Sequence, residues 1–323
     1  MQRKFLPLLM DPVSGEPLEL VGEVAEKDEI ISGQLKSASN SYEIINGIPR
    51  FVTTGKKNYA STFGYQWNKW KRVQFDSANK GRKMEGYTTN MWEKICGVDA
   101  QSRFDGQFLL DVGCGPGRFI EVAREKGAMV IGIDYSDAVE AARENFKNDE
   151  NVCIIQGDAL KLPIVPKIID NAYSIGVLHH TPAPAAGVIE ARRVLRENGW
   201  FAIAVYAKGG HYDKLSVQAW RKLFNFLWPV FRQYPPLLYT YFVTGLFWPI
   251  GRVIPILGKL IRQVFPYVNL PDWKWAVLDT FDSLTPSYQS AHESYEVYRW
   301  FKDNHYKNIE PTDWSFTAYK GNA

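Results

Sequence analysis

The sequence predicts an α/β fold built on a doubly wound, mostly parallel sheet. Three observations predict it. From 105 to 206, short apolar runs alternate with helix-like segments, the pattern of βαβ units. Three successive runs each end in an acid: Asp111, Asp134 and Asp158. The first run also enters a glycine-rich turn, Gly113-Cys114-Gly115-Pro116-Gly117, with a helix-like segment after it.

Each region follows in order. Residues 1–55 read as a small β module of short strands, DPVSGEPLEL and then SYEIINGIPRFV, with Asn46-Gly47 as the turn signal. Residues 56–206 form the core, opened by polar, aromatic, helical sequence to 104. Its strands are FLLDVG, AMVIGID, VCIIQGD, NAYSIGV and WFAIAVY, and its helices RFIEVAREKG, AVEAARENFKN and AAGVIEARRVLRENG. Residues 207–275 interrupt the alternation as a helical, aromatic, basic insert. Residues 276–323 resume it with the helix ESYEVYRWFKDNHY and the strands NIEPTDW and SFTAYK, the last strand antiparallel.

Composition narrows the class. At 323 residues the chain is long enough for two domains of roughly 150 residues each. With 46% hydrophobic and 23% charged residues it is neither disordered nor fibrous. A net charge of +3 excludes a nucleic-acid polycation, and no nucleic-acid partner is expected. Cys96, Cys114 and Cys153 are too scattered for a disulfide framework or a CxxC zinc pair. They fit a reducing, cytoplasmic setting. The N-terminal apolar patch, broken by Pro7 and Asp11, is too short for a signal-peptide core.

The insert departs from this average. It holds 16 of the 46 aromatic residues, and nine Lys or Arg against Asp213 and Asp272. Residues 233–251 carry no charge at all. That nears the ~20 residues of a membrane span, but Pro235, Pro236, Gly245 and Pro249 interrupt it and no return span follows. Three readings stand: a lid over an apolar acceptor pocket, a peripheral patch on an anionic membrane, or a buried cap or oligomer contact.

The glycine turn admits two readings, a plain tight βα turn or an anion cradle at a helix start. The acids favour the second. An acid ending the second strand is placed to hold a ribose diol, although Asp134 would serve equally as a helix cap. Glycine spacing is G-x-G-x-G with Arg118 next, which disfavours a nicotinamide dinucleotide, and no GK[ST] marks a P-loop.

These residues resemble the class I S-adenosylmethionine-dependent methyltransferases. LLDVGCGPGRF is similar to their first motif, IGIDYS to the second, QGDALKLP to the third, NAYSIGVLHHTP to the fourth, and EARRVLRENGWFAIAVY to the fifth-strand region. The resemblance implies a Rossmann-like, seven-stranded sheet and S-adenosylmethionine as cofactor. It implies that Asp111, Gly113, Gly115 and Gly117 line the methionine part. Asp134 would bind the ribose hydroxyls with Tyr135 beside the adenine. Asp158 would accept from the adenine amino group beside Ala159, and Gly176, Val177 and Leu178 would floor the sulfonium. A helix over 59–67 would cover the cofactor, closing Tyr65, Gln66 and Trp67 over it. Residues 8–52 resemble a small zinc-ribbon-like domain, ending in YEIINGIPRF, but Asp11 and Ser14 stand where its first thiolates would be. No metal is expected in this degenerate module.

Methyl transfer needs alignment, exclusion of water and, for a protic acceptor, a base. His179 and His180 follow the fourth strand at the ligand-binding edge. They are the candidate catalytic residues, as bases or as groups shaping the pocket. His292 is a second candidate, or a solvated residue at a helix start. The expected function is methyl transfer to an oxygen or nitrogen of a small or lipid-like acceptor. Alternatives are a saccharide or macromolecular acceptor, or a cofactor fold that has lost catalysis.

Overall fold

The computed structural model describes residues 1–52, 60–313 and 316–323. The chain opens with antiparallel strands β1 (Glu19–Glu26), β2 (Glu29–Lys36), β3 (Ser41–Ile45) and β4 (Ile48–Arg50). Helices α1 (Ser61–Lys69) and α2 (Tyr87–Cys96) follow. The alternating part runs β5 (Phe108–Val112), α3 (Arg118–Glu125), β6 (Met129–Asp134), α4 (Ala138–Phe146), β7 (Val152–Gln156), β8 (Asn171–Ile175), α5 (Pro184–Val194) and β9 (Trp200–Val205). Then come α6 (Leu215–Phe231), α7 (Tyr234–Val253), α8 (Pro255–Val264), α9 (Trp273–Leu284), α10 (Ser294–Asp303), β10 (Lys307–Asp313) and β11 (Thr317–Asn322).

Strands β7, β8 and β9 are buried along their whole length. Covered on both faces, they read as unbroken apolar runs rather than alternating ones. Helices α2, α3 and α4 contribute Trp92, Ile120 and Val139 to one core layer. On the other face, α5 and α10 contribute Val188 and Phe301 to the second.

The expected seven-stranded, mostly parallel sheet is corrected on two counts. Among the described residues all strands join one sheet of eleven, in the order β1-β2-β3-β4-β7-β6-β5-β8-β9-β11-β10. Five of its ten pairings are parallel and five antiparallel. The cause is β4, which lies parallel to β7 with Arg50 opposite Gln156. Phe51 N–H donates to Gln156 C=O at 2.8 Å, and the Arg50 guanidinium donates to Gln156 Oε1 at 2.8 Å. The N-terminal strands therefore extend the central sheet and cover its β7 edge.

Asp11 organises the start of the chain. Its Oδ1 accepts from Val13 N–H at 2.8 Å and Tyr42 O–H at 2.7 Å. Its Oδ2 accepts from Ser37 O–H at 2.6 Å and Asn40 Nδ2 at 2.8 Å. Among the described residues no group of three His, Cys, Asp or Glu is placed to hold a metal ion. Burial pushes the Asp11 carboxyl up, but donation from Ser37, Tyr42, Asn40 and Val13 outweighs it and holds the group well below the usual range.

Helices α6 to α9 build a small third core around Val217, Phe224, Tyr239, Val243 and Tyr267. Where α7 meets α8, a Cβ on Gly258 would lie 2.4 Å from Gly251 Cα, so only glycine fits that crossing. Asp272 caps α9 by accepting from Lys274 N–H at 2.8 Å and Trp275 N–H at 3.2 Å. Among the described residues no helix is long and apolar enough to cross a membrane. Tyr59 of the expected cover helix, and Trp314 and Ser315 of the last two expected strands, lie outside the described residues.

Candidate active site

A cavity of about 310 Å³ opens at the carboxyl ends of β5, β6 and β8, bounded by the glycine loop and α9. Such sheet edges are where open α/β folds bind ligands. The loop's shape requires its glycines. Gly113 has φ +86°, and a Cβ there would fall 2.2 Å from Val177 Cγ1. Gly117 has φ +94°, and a Cβ there would meet Phe146 at 2.5 Å. Gly113 and Gly115 line the cavity. Gly117 instead starts α3 against α4.

Asp134 lines the cavity and braces the loop. Its Oδ2 accepts from Gly115 N–H at 2.9 Å. Its Oδ1 accepts from Ser136 N–H at 2.8 Å and Ser136 O–H at 2.7 Å. The acid thus braces the turn before α4, where Ser136 Oγ in turn accepts from Ala138 N–H, and it still faces the cavity. Burial raises its pKa, against the bonds from Ser136 and Gly115.

Tyr135, Gly157 and Ala159 wall the same end. Trp67 of α1 lies over the loop, its indole 3.4 Å from where a Gly115 Cβ would be. Tyr65 packs on Phe281, and Gln66 donates to Asp282 at 2.6 Å.

Besides Gly117, three expected cofactor contacts are placed elsewhere. Asp158 is not in the cavity wall; its Oδ1 accepts from Leu160 N–H at 2.8 Å, turning back onto its own loop. Leu178 is buried against Gly187, leaving Gly176 and Val177 as the floor. Asp111 lies beneath the loop, 1% exposed, with no hydrogen-bond partner for Oδ2 among the described residues. Burial pushes its pKa up to about 8, against a pull from the nearby Tyr173 hydroxyl.

The histidines part company. His180 lines the cavity, and its Nδ1 lies 2.9 Å from Tyr288 C=O, a contact that makes Nδ1 the protonated nitrogen. Burial lowers its pKa to about 4, leaving a neutral ring. His179, expected beside it, is fully buried under Tyr206, ring centroids 3.7 Å apart, and does not reach the cavity. The adjacent sequence positions point to different sides of a tight turn. His292 is held by Glu296 at 2.9 Å and Ser290 at 2.8 Å, away from the main cavity.

The opposite wall was not legible in the sequence. Asp279 and Asp282 lie one turn apart on α9, both facing the cavity with Arg118. Gln74 Nε2 donates to Asp279 Oδ1 at 2.9 Å, and Tyr206 O–H approaches Asp282 Oδ2 at 3.5 Å. Among the described residues no hydrogen bond or ion pair within 4.0 Å reaches the Arg118 guanidinium, which rests on Phe119 at 4.4 Å. Burial, then the charge of Asp282, raises the Asp279 pKa to about 7. Tyr206 and Tyr212 stack at 3.8 Å along this wall.

Fold, glycine loop and strand-end acid define a nucleotide-type α/β site, and residues 110–203 match the family model described as a methyltransferase domain. The likeness to methyltransferase domains lies in this central segment. Over 106 residues the chain is 41% identical to an uncharacterized 37.1 kDa protein in transposon TN4556 of Streptomyces fradiae, covering 32% of this chain and 31% of that one. It is 32% identical over 125 residues to 27-O-demethylrifamycin SV methyltransferase of Amycolatopsis mediterranei, covering 37% and 45%. It is 27% identical over 157 residues to tRNA U34 carboxymethyltransferase of Pseudoalteromonas translucida, covering 47% and 48%. The chain thus spans a third to a half of these curated relatives. A solved phosphoethanolamine N-methyltransferase of Haemonchus contortus aligns with TM-score 0.36 at 19% identity, over 46% of this chain and 32% of that one.

Proposed function

We propose that the protein transfers a methyl group from S-adenosylmethionine to an oxygen or nitrogen of a small or lipid-like acceptor. One observation carries the reading: a single cavity joins the glycine loop and Asp134 to a wall of Arg118, Asp279 and Asp282. The first side fits the cofactor. Its backbone is bare where side chains would collide, and Asp134 keeps a lone pair on Oδ2 for a ribose hydroxyl. Arg118, unpaired among the described residues, supplies a cation for the cofactor's carboxylate.

When bound, S-adenosylmethionine supplies a methyl group on an electron-poor sulfonium. The chain's task is to orient the acceptor and take its proton. Asp279 is the group for that proton, because it faces the cavity and burial raises its carboxyl to about 7, into the range of a base working near neutral pH. The acceptor's proton would pass to that carboxylate as the acceptor takes up the methyl group. His180, with Nδ1–H committed to Tyr288, offers only Nε2 as a hydrogen-bond acceptor to orient the substrate. Tyr212, Val268 and Leu270 wall the cavity from the 207–275 segment, which supports reading that segment as a lid setting acceptor choice.

Calorimetry with S-adenosylhomocysteine and NAD tests the cofactor. Transfer of labelled methyl to a panel of hydroxyl and amine compounds tests the reaction. Binding of NAD with no response to S-adenosylhomocysteine would overturn the reading. Cofactor binding without turnover on any acceptor would favour a binding protein instead.

A further inference from the structure

Helices α6, α7 and α8 wear their apolar residues outward. Among the described residues, seventeen of the twenty-five exposed large apolar or aromatic side chains lie between Leu215 and Trp273. They follow helical spacing. On α6 the exposed apolar positions include Leu215, Leu223, Phe226 and Val230; on α7, Tyr234, Leu238, Phe242 and Leu246; on α8, Ile256, Leu257, Leu260 and Val264. Phe226 is 80% exposed and Ile256 78%. The opposite faces are buried, through Val217 and Phe224 on α6, Tyr239 and Val243 on α7 and Gly258 on α8. A helix at the surface of a water-soluble domain places its polar residues outward; these three do the reverse while also packing inward. So much apolar surface in water marks an interaction site.

Charge identifies what covers it. From 215 to 264 the sequence has no Asp or Glu. Lys222, Arg232, Arg252 and Lys259 stand exposed among the apolar positions. The nearest acids are occupied: Asp213 accepts from Gly209 N–H and Gln218 Nε2, and Asp272 caps α9. A second copy of the same face would set cation against cation across a two-fold axis. A spanning helix is excluded among the described residues. Aromatic and aliphatic side chains interleaved with cations, with no anions, match a surface that is apolar beneath and negative at its headgroups.

We propose that the outward faces of α6, α7 and α8 dock the protein peripherally onto an anionic lipid bilayer. The loop after α8 gives Val268 and Leu270 to the cavity wall, so the docked face and the acceptor chamber are neighbours in the chain.

Flotation with vesicles of phosphatidylglycerol and phosphatidylcholine tests this, against vesicles of phosphatidylcholine alone. The expected result is binding to the anionic vesicles that falls about tenfold as salt rises from low to molar ionic strength. A Phe226→Ser/Leu238→Ser/Ile256→Ser variant should lose binding even at low salt. A Lys222→Glu/Arg252→Glu/Lys259→Glu variant should lose the preference for anionic vesicles. Circular dichroism melting shows whether both variants remain folded; all six positions are exposed, so the inner core is untouched. Absence of vesicle binding by the parent protein overturns the proposal, as does equal binding to both vesicle types. A concentration-dependent dimer that the Ser variant abolishes, with the vesicle fraction empty, assigns the face to a second copy. Because flotation needs neither cofactor nor turnover, its outcome is separable from the methyltransferase reading.

Discussion

Gln74 Nε2 donates to Asp279 Oδ1 at 2.9 Å, joining the segment before α2 to helix α9. The other end of that amide, Oε1, is buried without a partner among the described residues, and the residue lines the cavity. Donation to Oδ1 favours the ionised carboxylate and leaves Oδ2 to take a proton. Gln74 Oε1 then stands ready for a donor on the acceptor, and an unmet buried acceptor atom costs stability until one arrives.

Asp279→Asn keeps the shape and removes the base. Turnover should fall about 10²- to 10⁴-fold, the usual range for general-base loss. S-adenosylhomocysteine affinity should stay within about twofold, because Asp279 is assigned to the acceptor. Steady-state kinetics and calorimetry read the two quantities. An unchanged kcat would remove Asp279 from the chemistry and return the proton to His180.

The same carboxyl sets a pH dependence. Its folded pKa is raised to about 7, so it becomes a base only as pH climbs through that value. Activity should rise with pH there, and Asp279→Asn should flatten the rise. Folding responds in the opposite sense. Between about pH 4 and pH 7 the folded state holds a proton that the unfolded state has released, so stability falls as pH rises across that window. Thermal melts of parent and variant from acid to neutral pH check it. Parallel slopes in both would mean that another group titrates.

What was legible follows from how local each signal is. The glycine loop and Asp134 are read within a few residues, because a turn and the strand before it fix both. Asp158 shares the strand-end position of Asp134, yet its side chain turns to Leu160 N–H; spacing gives position but not direction. His179 and His180 differ for the same reason. Asp279 and Asp282 lie on α9 with no motif, and meet the loop only through the tertiary fold. The eleven-stranded sheet depends on Arg50 pairing with Gln156, an edge contact that neither strand announces. The side-chain donation to Asp11 was invisible too, since Ser37, Asn40 and Tyr42 converge only once β2 and β3 pair.

Asp11→Ala should destabilise the protein by about 3 kcal/mol, because Ser37, Asn40 and Tyr42 lose a charged acceptor in a buried place. The parent should also be acid-sensitive there. Asp11's folded pKa is depressed, so its stabilisation is present above the ordinary aspartate value of about 4 and fades as pH drops through the lower folded value. Urea titrations at neutral and acid pH measure this. A variant as stable as the parent at neutral pH would show that the cluster contributes nothing.

Gly113→Ala tests the loop, and Gly106→Ala is its control. Both glycines have positive φ, +86° and +71°, so both substitutions bear the left-handed strain of roughly 1–2 kcal/mol. They differ in what the new methyl meets. At Gly106 nothing among the described residues lies within 4 Å, whereas at Gly113 Val177 Cγ1 lies 2.2 Å away and Cγ2 2.4 Å. Val177 floors the cavity from the turn after β8, so the clash must move either that floor or the loop, and both border the proposed sulfonium position. Gly106→Ala should lower Tm modestly and leave S-adenosylhomocysteine binding unchanged. Gly113→Ala should lower Tm further and weaken binding by about tenfold or more, since displaced contacts of this kind cost about 1–3 kcal/mol. Calorimetry on the two purified variants separates strain from collision. Equal binding by both would show that the loop yields without disturbing the ligand, and the cofactor would then lie elsewhere in the cavity.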